Sequence, residues 1–188
     1  MQPDSSTKDA RRTELLNAAT ELLATKPTAT LAEVADHAGI GKATLHRYFA
    51  SRDDLMLALG MLALDTVAHA IRDASQPERG SALDMLTRII EALVPLGDKL
   101  HFLLSESVLD THPDFTAADR AVQQSMLHLI QRAQSDGDLR SDVPAQWMLH
   151  HMNYALYATW QSVHDGYLAR KDAARLLVTT LLDGFAAR

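Results

Sequence analysis

Apolar residues along this chain recur at intervals of three and four. Nowhere do they alternate over a sustained run bounded by hairpin turns. Leu15, Ala19, Leu22 and Leu23 fall at i, i+4, i+7 and i+8, and Leu31, Val34, Ala35 and Ala38 at i, i+3, i+4 and i+7. That spacing lines one face of an α-helix, whose period is about 3.6 residues. The 29 leucines outnumber eight valines and five isoleucines. Leucine loses little rotamer freedom in a helix, whereas β-branched side chains favour strands. Pro27, 39–41, Ser51, 76–80, 95–97, 111–113, 135–138, Pro144 and Gly166 interrupt the pattern. These features predict an all-α chain of about nine helices with short connections. Thr30 with Glu33, Ser51 with Asp54 and Ser81 with Asp84 have capping-box spacing, in which a hydroxyl and a carboxylate satisfy free amides at a helix start.

Composition removes several classes of function. The chain has 188 residues, 47% of them hydrophobic, enough for one large domain or for a small and a medium one. It has no cysteine, which excludes disulfides, thiolate zinc sites and cysteine nucleophiles. The N-terminus lacks a basic-then-apolar leader, and no apolar run is expected to approach the roughly 18 residues that span a bilayer. A cytoplasmic protein without a membrane partner is expected. There is no G-x-S-x-G, no phosphate-cradling glycine loop, no H-E-x-x-H and no Glu-x-x-His, so no enzyme is expected. Among nine histidines, His150 and His151 are adjacent and point to different helix faces. No metal site and no cofactor are expected.

The segment 30–49 carries the most specific local pattern. Thr30 caps a short helix, Gly39 ends it in the left-handed conformation, and Ile40 turns inward. Gly41 caps a second helix predicted over 42–49, on which Leu45 and Phe49 face the core. The remaining surface suits DNA. Ala43 permits close approach and offers contact to a thymine methyl, Thr44 reaches base or phosphate, and Lys42 and Arg47 supply charge. His46 and Tyr48 donate to phosphate. Arg52 opens the next helix beside free amides, and Arg11 and Arg12 stand at the start of the first. Bulk charge opposes this reading. The net charge is −6, and residues 1–59 hold seven Lys/Arg against eight Asp/Glu. An all-α sensor or interaction protein without DNA binding is the alternative.

The run TLAEVADHAGIGKATLHRYFASRDDL resembles the N-terminal signature of the TetR family of bacterial regulators. The matching positions are Ala38-Gly39-Ile40, Gly41, Lys42, Ala43-Thr44, Leu45-His46, Arg47, Tyr48-Phe49 and Ser51-Arg52, preceded by a helix over 12–24. The likeness covers about residues 10–60. His46 stands where the family usually has Tyr, Gly41 replaces a Ser or Thr cap, Ala50 a frequent Pro and Arg52 a frequent Lys. The resemblance implies a three-helix DNA-binding domain over 8–55 and a helical effector-binding and dimerisation domain over 56–188. The candidate DNA contacts are Thr30, Lys42, Ala43, Thr44, His46, Arg47, Tyr48 and Arg52.

The same resemblance implies a homodimer on a palindromic operator, a repressor released by a small hydrophobic effector, and a connecting helix over 51–75 that transmits the shift. The expected effector pocket is lined by Leu64, Leu86, Phe102, Met126, Ile130, Trp147, His151 and Tyr154, the last three on one helix face. The expected dimer face lies on helices over 144–165 and 171–187: Leu149, Leu156, Trp160, Val163, Leu176, Leu177, Thr180, Leu181 and Gly184.

Overall fold

The computed structural model describes residues 5–76 and 80–186. Residues 77–79, in the predicted break over 76–80, and residue 187, at the predicted end of the last helix, lie outside the described residues. Among the described residues the chain forms nine α-helices, two 3-10 helices and one isolated antiparallel bridge, Leu139 to Ala186. The helices are α1 Ser5–Thr25, α2 Leu31–His37, α3 Lys42–His46, α4 Arg52–Ala74, α5 Ala82–Leu93, α6 Gly97–Ser105, α7 Pro113–Ser135, α8 Ala145–His164 and α9 Arg170–Phe185. The all-α expectation holds. Two compact units are formed, Met1–Leu62 and Ala63–Arg188, so α4 begins in the first and ends in the second.

In the first unit, α1 packs on α2 and α2 on α3. The buried side chains are those the periodicity singles out, Leu15, Leu16 and Ala19 of α1 with Val34 and Ala35 of α2. Leu45, Phe49, Leu55 and Met56 complete that core. Two of the three predicted capping boxes close as drawn. Thr30 Oγ1 accepts from the Glu33 amide at 3.3 Å and Ser81 Oγ from the Asp84 amide at 3.1 Å, with each carboxylate returning to the cap amide. The third differs by one residue. Ser51 Oγ accepts from the Asp54 amide at 3.0 Å, but Asp54 Oδ2 takes the Ala50 amide instead.

The second unit is built on α5. Its Met85, Leu86, Ile89, Ile90 and Leu93 form a buried stripe against α7 and α9. Burying a side chain of this size stabilises by about 1.5–3 kcal/mol. α8 packs on α6, α7 and α9. The predicted break at 95–97 proves to be a tightening, since Val94–Leu96 is a 3-10 helix and α6 follows at Gly97. One sequence expectation is corrected here. α4 is long and apolar enough to cross a membrane by length and composition, with a mean hydropathy of 1.5 over its best window. Asp65 divides the apolar residues there, so the stretch does not read as one run. Half of that window is buried within the fold, as in a core helix.

Candidate nucleic-acid interface and effector region

The turn between α2 and α3 is fixed by backbone bonds. Gly39 has φ +66, a region that costs a side-chain-bearing residue about 1–2 kcal/mol. There the Ile40 amide donates to the Ala35 carbonyl at 3.0 Å and the Gly39 amide to the Asp36 carbonyl at 3.2 Å. These two bonds are the Schellman pair that stops a helix sharply. α3 is shorter than predicted. It ends at His46, and Tyr48 and Phe49 donate back to the Leu45 carbonyl at 2.9 and 3.0 Å. Leu45 and Phe49 are buried as expected, and Ile40 is half-buried.

With Leu45 and Phe49 inward, Lys42, Ala43, His46 and Arg47 stand exposed and Thr44 and Tyr48 half-exposed. Beside them is an open hollow lined by Lys8, Asp9, Arg12, Arg47 and Tyr48. The Arg12 guanidinium lies 5.4 Å from the centre of the Phe49 ring, which holds that cation next to the end of α3. Lys8 was missed in the sequence. It lies one helical turn before Arg12, and that i, i+4 pair of cations was the available signal.

Two candidate contacts are placed otherwise. Arg52 is half-buried and donates from Nη2 to the Pro27 carbonyl at 2.9 Å and from Nε to the Ala29 carbonyl at 3.4 Å. The start of α4 lies alongside the α1–α2 connection, whose carbonyls have no helical partner, so the half-buried guanidinium ties that loop down. Thr30 is exposed, but its hydroxyl is committed to the cap. The Lys26 ammonium donates to Glu33. That bond, followed by those from the Thr30 amide and hydroxyl, holds the Glu33 carboxyl down at about 2. Arg11 pairs with Glu14 at 2.6 Å.

The expected effector residues do not meet in one cavity. Leu64, Leu86, Met126 and Ile130 are core side chains, Phe102 is half-buried, and His151 is exposed. Trp147 is 53% exposed and Tyr154 64%. Of the eight, only Leu86 and Ile130 line the void inside the second unit, together with Ile90, Leu139, Met148, Met152, Leu181, Leu182 and Phe185. That void is about 20 Å³ and wholly apolar, room for about one water and without polar partners to hold it. Trp147 and His151 do share a face. Their rings stack at 5.0 Å, and both meet the edge of Phe185, at 5.8 and 5.6 Å. Spacing identified the face, but the neighbour packed against its other side decided which way it points.

The expected dimer stripe also divides. Leu149, Leu156, Leu177 and Leu181 are buried in the unit's own core and form no outward face. Trp160 and Val163 are half-buried. Leu176, Thr180 and Gly184 are exposed on α9. The reason is that α8 and α9 pack on each other and on their neighbours through the leucine positions, leaving only the opposite sides free.

The sequence profile described as "Bacterial regulatory proteins, tetR family" matches residues 15–59, the span from the buried face of α1 into α4. The chain is 30% identical over 176 residues to the HTH-type transcriptional regulator NfxB of Pseudomonas aeruginosa, covering 90% of this chain and 91% of the relative. It is 27% identical over 181 residues to the HTH-type transcriptional repressor LfrR of Mycolicibacterium smegmatis, covering 96% and 93%. The crystal structure of LfrR in complex with proflavine superposes with a TM-score of 0.79 at 27% identity, over 97% of this chain and 99% of that one. The chain therefore belongs to the TetR family of bacterial helix-turn-helix transcriptional regulators, and it is a regulator rather than an enzyme.

Proposed function

We propose that this chain is a dimeric, effector-controlled repressor that reads a palindromic operator. The observation carrying this reading is the outward set Lys42, Ala43, His46 and Arg47 on a helix anchored from behind by Leu45 and Phe49. Residues 8–55 are the reading domain. Ala43 approaches base edges, Lys42 and Arg47 neutralise phosphates, and His46 and Tyr48 donate to them. Lys8 and Arg12 extend the cationic surface from α1. A net charge of −6 leaves bulk attraction unavailable. Affinity then requires two copies of this local face, in successive major grooves about 34–36 Å apart.

Residues 56–188 are the effector and dimer domain. Trp147 and Tyr154 on α8 and Leu176, Thr180 and Gly184 on α9 are apolar or small exposed residues on adjacent helices. They support a two-fold contact made by this pair of helices. The LfrR complex with proflavine supports a small-molecule effector here also. The void of about 20 Å³ is too small for an effector, so binding at that place requires an opened bundle. The effector shifts the regulator only to the extent that it binds the opened and closed forms unequally. The protein acts in the cytoplasm.

The test is a gel shift with the DNA upstream of its own gene, followed by selection from a random pool. Salt-sensitive binding to one sequence is expected, and its absence from both overturns the reading. Sedimentation at working concentration checks the dimer, and a monomer overturns it.

A further inference from the structure

The second unit carries a group of side chains that the DNA interface does not use. On α8, Asn153, Tyr157 and Trp160 fall at i, i+4 and i+7, on one helical face. α6 lays His101 over that face. Its ring is 5.1 Å from Tyr157 at 17° and 5.0 Å from Trp160 at 16°, while the two α8 rings are 6.2 Å apart. Those three distances exclude a sandwich. His101 lies flat across a two-ring platform. Gly97, one turn earlier on α6, permits the approach, since a Cβ there would collide with Trp160 Cβ.

A carboxylate faces the same region. Asn153 Nδ2 donates to Gln123 Oε1 at 3.3 Å across α7 and α8, and Gln123 Nε2 donates to Asp119 Oδ1 at 3.5 Å. α7 and α8 run antiparallel, because Gln134 near the end of α7 reaches Met148 near the start of α8. One turn back along α7 from Gln123 is therefore the same step as one turn forward along α8 from Asn153. Asp119 stands at the level of Tyr157. It is half-buried, and among the described residues it makes no ion pair. Burial raises its carboxyl pKa above the ordinary value, opposed by the Gln123 bond and assisted by Asp110. An uncompensated carboxylate at the level of the platform attracts a cation, and a flat one gains stacking on the rings as well. The protein's own occupant of the platform, an imidazole, is itself a flat, protonatable ring.

We infer that Tyr157, Trp160 and Asp119 form the seat of a planar aromatic cation, which takes the place of His101 on the platform. The inference rests on the reading of the chain as an effector-controlled regulator and names the chemical class of the effector. α6, which carries both His101 and Gly97, is the element that must move to admit it.

The test uses the full chain with two three-ring probes, cationic proflavine and neutral acridone, with binding followed by calorimetry. Asp119→Asn is expected to weaken proflavine about tenfold and leave acridone within about twofold, as loss of a half-buried counter-charge requires. Asp119→Glu keeps the preference. Trp160→Leu weakens both probes, and His101→Ala tightens both by removing the ring they displace. No proflavine binding by the parent chain, unchanged proflavine affinity in Asp119→Asn, or equal loss of both probes overturns the seat. The gel shift separates the two readings. Operator binding with an unchanged Asp119→Asn proflavine affinity rejects the seat alone. Charge-dependent proflavine binding without any DNA binding rejects the regulator reading alone.

Discussion

The two units differ in how their surfaces are made. In the first, each outward side chain near the DNA-reading helix is set by bonds within a few residues: the Thr30 cap, the Gly39 turn and the inward Leu45 and Phe49. In the second, every helix has an apolar stripe, and which helix covers which stripe decides what is left outside. Trp147 and Tyr154 are exposed while Leu149 and Leu156, two residues from each on the same helix, are buried. A local pattern is robust to its neighbours, whereas a stripe has no meaning until its partner is known.

That contrast can be broken by substitution. The largest effect is expected for Leu45→Ala. Leu45 is 0% exposed, and removing such a side chain costs about 2–5 kcal/mol. Urea denaturation should register that loss in the first unit, and DNA binding should disappear with it. An equal loss of effector binding would refute the separation of the two surfaces.

Two glycines come next, and they test opposite mechanisms. Gly97→Ala forces a methyl into Trp160, and overpacking of this kind costs about 1–3 kcal/mol. Gly39→Ala meets no atom within 4 Å, yet its φ of +66 imposes about 1–2 kcal/mol of backbone strain. Tryptophan fluorescence should change for Gly97→Ala and stay constant for Gly39→Ala. The reverse pattern would mean that the tertiary contact is relaxed and only the backbone matters.

Smaller effects follow. Lys42→Ala is expected to reduce the slope of log affinity against log salt by about one, with the fold unchanged. An unchanged slope rejects a phosphate role for Lys42. The smallest effect is that of Glu33. Its carboxyl is depressed to about 2 from an ordinary 4.5, by the Lys26 bond first and the Thr30 bonds next. A depressed carboxyl contributes stability that is present above its unfolded pKa and lost as pH falls through the folded one. Denaturation midpoints should therefore fall between about pH 4.5 and 2, and Glu33→Gln should remove that slope. A slope surviving in Glu33→Gln would assign it to another carboxylate.

The exposed face of α3 was legible in sequence to the extent that it is local. Lys42, Ala43, His46 and Arg47 stand exposed because Leu45 and Phe49 recur at i+4 spacing. The bonds of Arg52 were not legible, because its partners, Pro27 and Ala29, lie more than 20 residues earlier and are carbonyls that no side-chain motif marks. Trp147, His151 and Tyr154 of the expected pocket lie outside, and Leu149, Leu156, Leu177 and Leu181 of the expected dimer face lie in the core, for a similar reason. Phe185 at the end of α9 packs T-shaped against Trp147 and His151, which stay at the surface, whereas Leu149, Leu156, Leu177 and Leu181 turn into the core. The pair His101 and Trp160 is separated by most of α7 and α8, and only the docking of α6 brings the rings together.

The amino-acid sequence by itself determined an all-α chain, the positions of its caps, the sharp turn at Gly39 and the side chains presented by the helix after it. These follow from hydrogen bonds and steric limits within single turns. The tertiary structure alone decided that Arg52 bonds the Pro27 and Ala29 carbonyls, that Leu149, Leu156, Leu177 and Leu181 belong to the core, and that Asp119 stands at the level of Tyr157. Those outcomes depend on which apolar stripe is buried against which. That choice minimises exposed apolar area over the whole unit, so no single segment contains it.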